Sequence, residues 1–452
     1  MDAWRISLDI SNFLFKYCVY YPVVLLRGEW VGKHLKALQK SQFYPIEKIS
    51  EIQLDRLNKL LKHARKTVPH YAELPKQTLT TLEQLKNLPF LEKEFLRDHS
   101  EQLYSTKTGL FTRLKTTGGS TGAPVTLRKD NRGMAHELAA TWRGYSWSGV
   151  DIGDRQARFW GVPASSKDKR RAKLIDFIAH RRRFSAFSFT SNELDSYVTE
   201  LSNFKPDYFY GYVSMIRQFA DHVEKTGQSE LVVPKAIITT AEALTEPDRR
   251  KIEDVFNCRV FDEYGCGEIG TIAHECEFGV LHLSVENMVV EILKEDGRPV
   301  GPGEEGEIVV TDLVNYSMPL IRYRLKDYAT LSDETCRCGR ELPTIRNVLG
   351  REYDILVNTK GEKFHGEFFI YIFEDLKKSG FSVESFQIVQ SKDLNITISI
   401  KCLSENYGQI IAQVKKELCE RFDENLKYSF LRVDKVCRES SGKLRIVKRN
   451  FE

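Results

Sequence analysis

The densest run of chemistry-bearing residues in the 452-residue chain is Thr116-Thr117-Gly118-Gly119-Ser120-Thr121-Gly122-Ala123-Pro124. Glycines let consecutive backbone N–H groups turn toward one anion, and the hydroxyls add donors, so the run suits a polyphosphate. It lacks the Gly-Lys-Ser/Thr ending of a Walker loop, which argues against a P-loop fold. An ordinary glycine-rich turn is the alternative. A second grouping is Cys276, His282, Cys336 and Cys338, a donor set for a tetrahedral Cys3His zinc site in which His274 could replace His282. A closed four-ligand site would be structural, and buried free thiols are the alternative. With no secretory leader in view, nine cysteines suggest a reducing compartment, where such clusters point to metal before disulfide. The segment from Lys167 to Arg183 holds Lys169-Arg170-Arg171 and Arg181-Arg182-Arg183. It reads as a solvated face, or as a dock for a coenzyme A phosphate, a uronic-acid glycan or an acidic membrane.

These residues need elements to position them. Ile52, Leu54, Leu57, Leu60, Leu61 and Ala64 recur at helical spacing over residues 51–66. From residue 157, Ala157–Trp160, Tyr208–Tyr210, Ala236–Thr240 and Arg259–Phe261 read as strands, with a helix over Glu246–Val255. Strands alternating with helices predict a largely parallel α/β sheet. After residue 279, Val280–Leu293 and Glu307–Thr311 alternate like an antiparallel layer, separated by the turn Pro302-Gly303-Glu304-Glu305-Gly306. Beyond Arg351, strands at Phe386–Val389 and Ile396–Ile400 and a helix over 407–421 predict a small α+β unit. The expected domains are 1–350, with a peripheral segment 1–50, and 351–452.

Composition is that of a soluble globular protein, 41% hydrophobic and 29% charged, and a net charge of +4 argues against a dedicated nucleic-acid binder. The apolar stretch Phe13–Leu26 is broken by Lys16 and Pro22 and is shorter than the roughly 20 residues that span a bilayer. It is expected to pack on the main domain. Trp4, Trp30 and nearby tyrosines leave an interfacial membrane element as the sharper alternative.

From about residue 50 to the C-terminus, the order of the motifs resembles that of adenylate-forming enzymes. The chain looks like the phenylacetate–coenzyme A ligase group, and more closely its capsular polysaccharide biosynthesis (CapK-like) branch. The resemblance implies a large α/β N-terminal domain and a small, mobile α+β C-terminal domain. It makes Thr117, Gly118, Gly119, Ser120, Thr121 and Gly122 a phosphate loop, with Thr121 also catalytic. Asp262-Glu263-Tyr264-Gly265-Cys266-Gly267-Glu268 resembles the family's Tyr-Gly-x-x-Glu motif. Asp262 and Tyr264 would then line the nucleotide site, and Glu268 would hold magnesium, a hard cation that favours carboxylates. Ala241-Glu242 looks like the adenine-contacting turn, and Asp327 matches the aspartate that accepts from both ribose hydroxyls. Surface pairing of Asp327 with Arg324 or Lys326 is the bland alternative.

Gly350-Arg351-Glu352-Tyr353-Asp354 resembles the family's Gly-Arg-x-Asp-Asp junction, with Arg351 at phosphate or ribose and Asp354 as hinge; Tyr353 stands where the first aspartate is usual. Ser440-Ser441-Gly442-Lys443-Leu444-Arg445 resembles the loop whose lysine, here Lys443, offsets charge as carboxylate approaches phosphate. Tyr210, Gly211, Tyr212, Thr239 and Gly265 would border the acyl pocket. Some relatives share the cysteine–histidine pattern.

The implied activity is ATP-dependent formation of an acyl-adenylate, then acyl transfer to an amine or thiol after a rotation near Asp354. A carboxylate is already ionised at neutral pH, so the first step needs no general base. The expected cofactors are ATP, Mg2+ and structural Zn2+, with coenzyme A if the acceptor is a thiol. Expected partners are a small-molecule or glycan carboxylate, the acceptor, a peripheral membrane contact and a second copy, in a cytoplasmic location at the inner membrane surface. Surface polysaccharide biosynthesis favours an amine acceptor, and an aryl or acyl–coenzyme A ligase is the alternative. A membrane-associated assembly component with a degenerate nucleotide site is a further alternative, opposed by the joint presence of Ser120, Thr121, Glu268, Asp327, Arg351 and Lys443.

Overall fold

The structure is a computed structural model that describes residues 10–107, 109, 111–117, 125–160, 166–185, 191–242, 244, 246–349, 356–364, 368–369, 372–373, 375–376, 379–436 and 446–449. The predicted site residues Gly118–Gly122, Arg351, Asp354 and Lys443 lie outside the described residues.

The N-terminal segment forms α1 (Ile10–Phe15), a π turn (Lys16–Tyr20), α2 (Tyr21–Leu26) and α3 (Val31–Ser41). One side packs inward. Val24, Val31, Leu35 and Leu38 are buried, the Tyr20 hydroxyl accepts from Trp142 Nε1 at 2.7 Å, and Asn12 Nδ2 donates to Asp154 and Asp207 at 3.1 and 3.0 Å. The other side leaves Ile10, Phe13, Leu14, Leu26 and Trp30 exposed. The segment packs on the main domain, as expected, and keeps an apolar face outward. No helix among the described residues is long and apolar enough to cross a membrane.

Next come α4 (Ile46–Thr67), with Leu57, Leu60, Leu61 and Ala64 buried as their spacing predicts, and α5 (Lys93–Asp98). The hairpin β1 (Thr112–Thr117) and β2 (Val125–Asp130) pairs Thr117 with Val125, so these strands bracket residues 118–124. Asp130 caps α6 (Asn131–Trp147) by accepting from Gly133 N at 2.7 Å.

Among the described residues the main sheet has eleven strands. β3 (Gln156–Trp160), β4 (Arg181–Ser185), β5 (Tyr208–Tyr212), β6 (Ala236–Thr240) and β7 (Val260–Cys266) are parallel, in the order β4-β3-β5-β6-β7. Beyond β7 the same sheet continues antiparallel with β8 (Gly270–Glu275), β9 (Leu281–Leu283), β10 (Met288–Leu293), β11 (Glu305–Asp312), β12 (Tyr323–Ser332) and β13 (Thr344–Leu349), in the spatial order β7-β8-β9-β13-β12-β11-β10. The two expected layers are thus one sheet, because β7 takes a parallel neighbour on one edge and its own hairpin partner on the other. A Cβ on Gly265 would lie 2.4 Å from the Gly270 carbonyl oxygen, so this tight hairpin requires glycine there.

The parallel half is covered on both faces. Phe159, Phe209 and Ile237 share a core with Leu201, Phe219 and Phe256 from the helices α8 (Ser191–Phe204), α9 (Val213–Lys225) and α10 (Glu246–Phe256). Tyr208, Tyr210, Ile238 and Phe261 pack with Tyr145 of α6 on the other face. The edge strand β4 carries the arginine trio, whose members are engaged in ion pairs. Arg181 and Arg183 pair with Asp176 at 2.5 and 3.0 Å, and Arg182 pairs with Glu200 at 2.9 Å. Paired charges on an edge protect it from further strand addition.

The C-terminal unit holds the hairpin Leu356–Val357/Lys363–Phe364 and a four-stranded sheet of Val383–Gln390, Ile396–Cys402, Tyr428–Arg432 and Val447–Arg449, with the helix Tyr407–Arg421 buried through Ile410, Val414 and Leu418. The two strands and the helix read from sequence in this unit are present. Gln390, fully buried, clamps Val357 by accepting from its N–H at 2.9 Å and donating to its carbonyl at 2.6 Å.

Candidate active site

Two motifs that lie far apart in sequence meet at the C-terminal end of β7. The Tyr264 hydroxyl donates to Asp327 Oδ2 at 3.0 Å, and both residues are buried. Asp327 reaches this position through a bulge. Against β11, pairing jumps from Val309↔Arg324 to Glu307↔Tyr328, and Lys326 takes a φ of 62°. Extra residues on one strand bend it and re-aim a side chain. Arg324 and Lys326 are engaged elsewhere: Arg324 Nε donates to Glu307 at 2.9 Å, and Lys326 Nζ pairs with Glu92 at 3.1 Å. Asp327 itself is buried.

Glu268, in the turn after β7, is also buried. The Tyr323 hydroxyl donates to its Oε1 at 3.5 Å, and Lys93 Nζ lies 3.6 Å away. Lys93 was not legible as a site residue, since its helix carries no motif. Its place is set by main-chain bonds from Leu91 N to Arg322 O at 3.0 Å and from Arg324 N to Leu91 O at 3.1 Å. Lys129 was missed as well, although the alternation of buried Val125, Leu127 and Lys129 on β2 carried the signal. Lys129 pairs with Glu137 in the interior and donates to Ile269 O at 3.3 Å, tying the β1–β2 hairpin to the turn that bears Glu268. Lys115 adds a bond to Glu137 at 2.9 Å. Burial alone would raise Glu137, but Lys129 and Lys115 overcome it and hold the carboxyl at about 2.

At the end of β6, Ala241 adopts φ 68°, a left-handed conformation that strains a non-glycine residue. It lies in the turn expected to face adenine, with Glu242 beside it. Asp262 faces the α9–α10 side of the sheet. It accepts from Thr239 Oγ1 at 3.2 Å, and burial followed by Glu275 pushes it up to about 7 against the Arg249 guanidinium. Thr239, fully buried, thus spends its hydroxyl inside the sheet. Tyr212 stacks on Trp160 with centroids 4.2 Å apart. A Cβ on Gly211 would sit 2.3 Å from the Phe159 carbonyl, so glycine is required there by strand approach. Tyr210 donates to Glu263 Oε1 at 3.4 Å.

The proposed zinc ligands converge. The donor atoms of Cys276, His282, Cys336 and Cys338 all lie within 4.8 Å of one another. The Sγ atoms of Cys276 and Cys336 are 3.6 Å apart, and Cys338 Sγ is 3.3 Å from His282 Nε2. Metal–ligand bonds of about 2.0–2.3 Å in a tetrahedron give edges of this size. His282 Nδ1 donates to Leu342 O at 3.2 Å, leaving Nε2 as the donor atom toward the cluster. His274 does not belong to it: its Nδ1 donates to Glu275 O at 2.9 Å, and its ring packs near Tyr145 and Trp147.

Comparison with known proteins matches two stretches of the chain. Residues 114–313 match the model of the AMP-binding enzyme family, and residues 356–450 match that of the CapK C-terminal domain. The chain is an AMP-forming ligase. It is homologous to protein CapK of Staphylococcus aureus, at 25% identity over 416 residues covering 89% of each chain. It is likewise homologous to the phenylacetate-coenzyme A ligase of Thermus thermophilus, at 25% identity over 332 residues covering 69% of this ligase and 72% of its relative. In fold it resembles the crystal structure of 2-hydroxyisobutyryl-CoA ligase in complex with 2-HIB-AMP and CoA, with TM-score 0.61, 16% identity, and coverage of 90% and 91%.

Proposed function

We propose that this ligase activates a carboxylic acid with ATP and passes the acyl group to an amine in the assembly of a capsular or other surface polysaccharide. The carboxylate oxygen attacks the α-phosphorus, the bond to the β-phosphate breaks, and pyrophosphate leaves. The acceptor then attacks the acyl carbon, loses its proton, and AMP departs. The observation that carries the reading is the 3.0 Å bond from the Tyr264 hydroxyl to Asp327, which joins two motifs that the proposal places at one nucleotide site. Glu268 is an oxygen ligand suited to magnesium, which would offset phosphate charge there. The similarity to protein CapK across most of both chains favours the polysaccharide context. A coenzyme A thiol is the second reading, favoured by the phenylacetate-coenzyme A ligase relatives.

The test is carboxylate-dependent ATP–pyrophosphate exchange, with Lys443→Ala as control. Exchange that needs one acid class and falls by roughly two orders of magnitude or more in the variant, with ATP binding retained, is expected. Equal exchange in the variant would remove Lys443 from the mechanism. Product formation with and without coenzyme A then separates thiol from amine.

Zinc is proposed for the Cys276, His282, Cys336, Cys338 cluster, where it would pin the loop before β13 to the β8–β9 hairpin. Peripheral contact with an anionic lipid surface is proposed for the apolar N-terminal face. Phe15 lies 6.2 Å from Phe177 of the helix α7 (Ser166–Ile178), so that face adjoins exposed Leu174 and Phe177 and the exposed cations Arg170 and Lys173. Apolar side chains beside Lys and Arg suit an anionic headgroup layer.

A further inference from the structure

Glu263 is one of the residues of the Asp262–Glu268 motif to which the family resemblance assigned no role. It is 8% exposed and lies at the C-terminal end of the parallel strands, where open α/β sheets bind their ligands. The register pairs Glu263 with Thr240, and Thr240 with Tyr212, across β7, β6 and β5. Tyr210 donates to Oε1 at 3.4 Å and the Tyr145 hydroxyl also faces the carboxyl, while Oε2 has no donor within hydrogen-bond distance among the described residues. Aromatic rings wall the same region: Tyr145 lies 5.8 Å from Tyr210, and the Arg158 guanidinium sits over Trp160 and Tyr210 at 4.7 and 5.0 Å. Burial pushes Glu263 up to about 7, against the pull of the Tyr145 hydroxyl and the Arg158 charge. A buried carboxylate with half its acceptor capacity unmet is a liability for stability, and such groups cluster where a ligand completes them.

We propose that Glu263 determines the specificity of the acyl pocket, its second oxygen accepting a hydrogen bond from a hydroxyl or ammonium on the acid, so that the substrate is a hydroxy or amino acid and not an unsubstituted aryl acid. This rests on the adenylation reading and on the placement of the acyl pocket at β5 and β7. The rings of Tyr145, Trp160 and Tyr210 supply apolar walls, and Glu263 supplies an acceptor that a plain aryl ring would leave unpaired. A site built to bond a polar group rejects the analogue lacking it far more strongly than an apolar pocket rejects an extra hydroxyl.

The experiment is ATP–pyrophosphate exchange by the full chain with amino acids, hydroxy acids including uronic acids, and phenylacetate, for the wild type, Glu263→Gln and Glu263→Leu. ATP affinity and thermal midpoint are measured alongside. The wild type should prefer a donor-bearing acid, and the amino and hydroxy arms identify the donor. Glu263→Leu should raise KM for that acid about 100-fold or more and gain exchange with its deoxy or deamino analogue, with ATP affinity within about twofold. If the leucine variant does not fold, Glu263→Gln keeps the shape and should show the same KM increase. Wild-type turnover of phenylacetate equal to that of every polar acid, or unchanged selectivity in both variants, overturns the assignment while leaving adenylation intact. Silence of the wild type toward all acids overturns the adenylation reading, and this one with it.

Discussion

Asp262 and Glu263 are adjacent acids on one strand, both pushed up to about 7 by burial, yet their surroundings differ. Asp262 is bonded to Thr239 and lies near Arg249, which itself binds Glu275 at 2.8 Å, so its cost is met inside the fold. Glu263 faces Tyr145 from α6, Tyr210 from β5 and Arg158 from β3, and has one oxygen unmatched among the described residues. The consequence is a stability signature. Below about 4.5, the ordinary value, Glu263 is protonated in both folded and unfolded chains and contributes nothing. As pH rises toward about 7 the unfolded chain releases this proton before the native one does, so native stability falls across that window. Glu263→Gln should therefore lose less stability than the wild type between pH 4.5 and 7, by an amount on the order of a few kcal/mol, and match its slope outside that range. Urea midpoints of the two proteins at a series of pH values check this; parallel curves would show that Glu263 does not carry the shift.

The elements that position the site are held by long-range contacts rather than by their own propensity. The bulge in β12 aims Asp327, the hairpin β7–β8 places Glu268, and Lys129 ties the β1–β2 hairpin to that turn. The cysteine–histidine cluster acts at this scale too, since its ligands come from the β8–β9 hairpin and from the loop between β12 and β13. A closed site of this kind stabilises by binding metal in the native state only. Purified protein should contain about one zinc per chain, and Cys338→Ser should lose it and lower the thermal midpoint by several degrees. The acid-dependence of exchange should persist in any variant that remains folded, because the cluster contributes no atom to the reacting centre. Metal-free protein of unchanged midpoint would sink the assignment and favour buried thiols.

At the scale of the whole molecule, the outward face of the N-terminal helices is the feature with an external consequence. Ile10, Phe13, Leu14 and Leu26 stay exposed although the same helices have a packed side against α6. Full-length protein should sediment with vesicles containing phosphatidylglycerol, less so with phosphatidylcholine alone, and binding should weaken with salt. The double variant Leu14→Asp, Leu26→Asp should reduce the bound fraction about tenfold while leaving the midpoint unchanged, since both side chains are exposed. No sedimentation with anionic vesicles would reject the membrane reading. A dimer, seen by light scattering and broken by the same variants, would assign the face to a second copy instead.

Local runs were legible in the sequence because their chemistry is written in covalent neighbours: the Thr116–Pro124 run, the Asp262–Glu268 motif and the strands Ala236–Thr240 and Ile396–Ile400. Periodicity also placed the core face of residues 51–66, since the helical repeat depends only on the chain itself. The tertiary structure alone decided which strands are neighbours. Alternation says which residues share a face, but not whether that face is covered. Only the strand order makes β7 a central strand buried on both sides, which places Glu263 in the interior. The same order brings Tyr264 to Asp327 across 63 residues, selects His282 over His274 beside the cysteines, and sets Lys93 against Glu268. Contacts of that kind form when remote segments pack, and no short stretch of sequence encodes them.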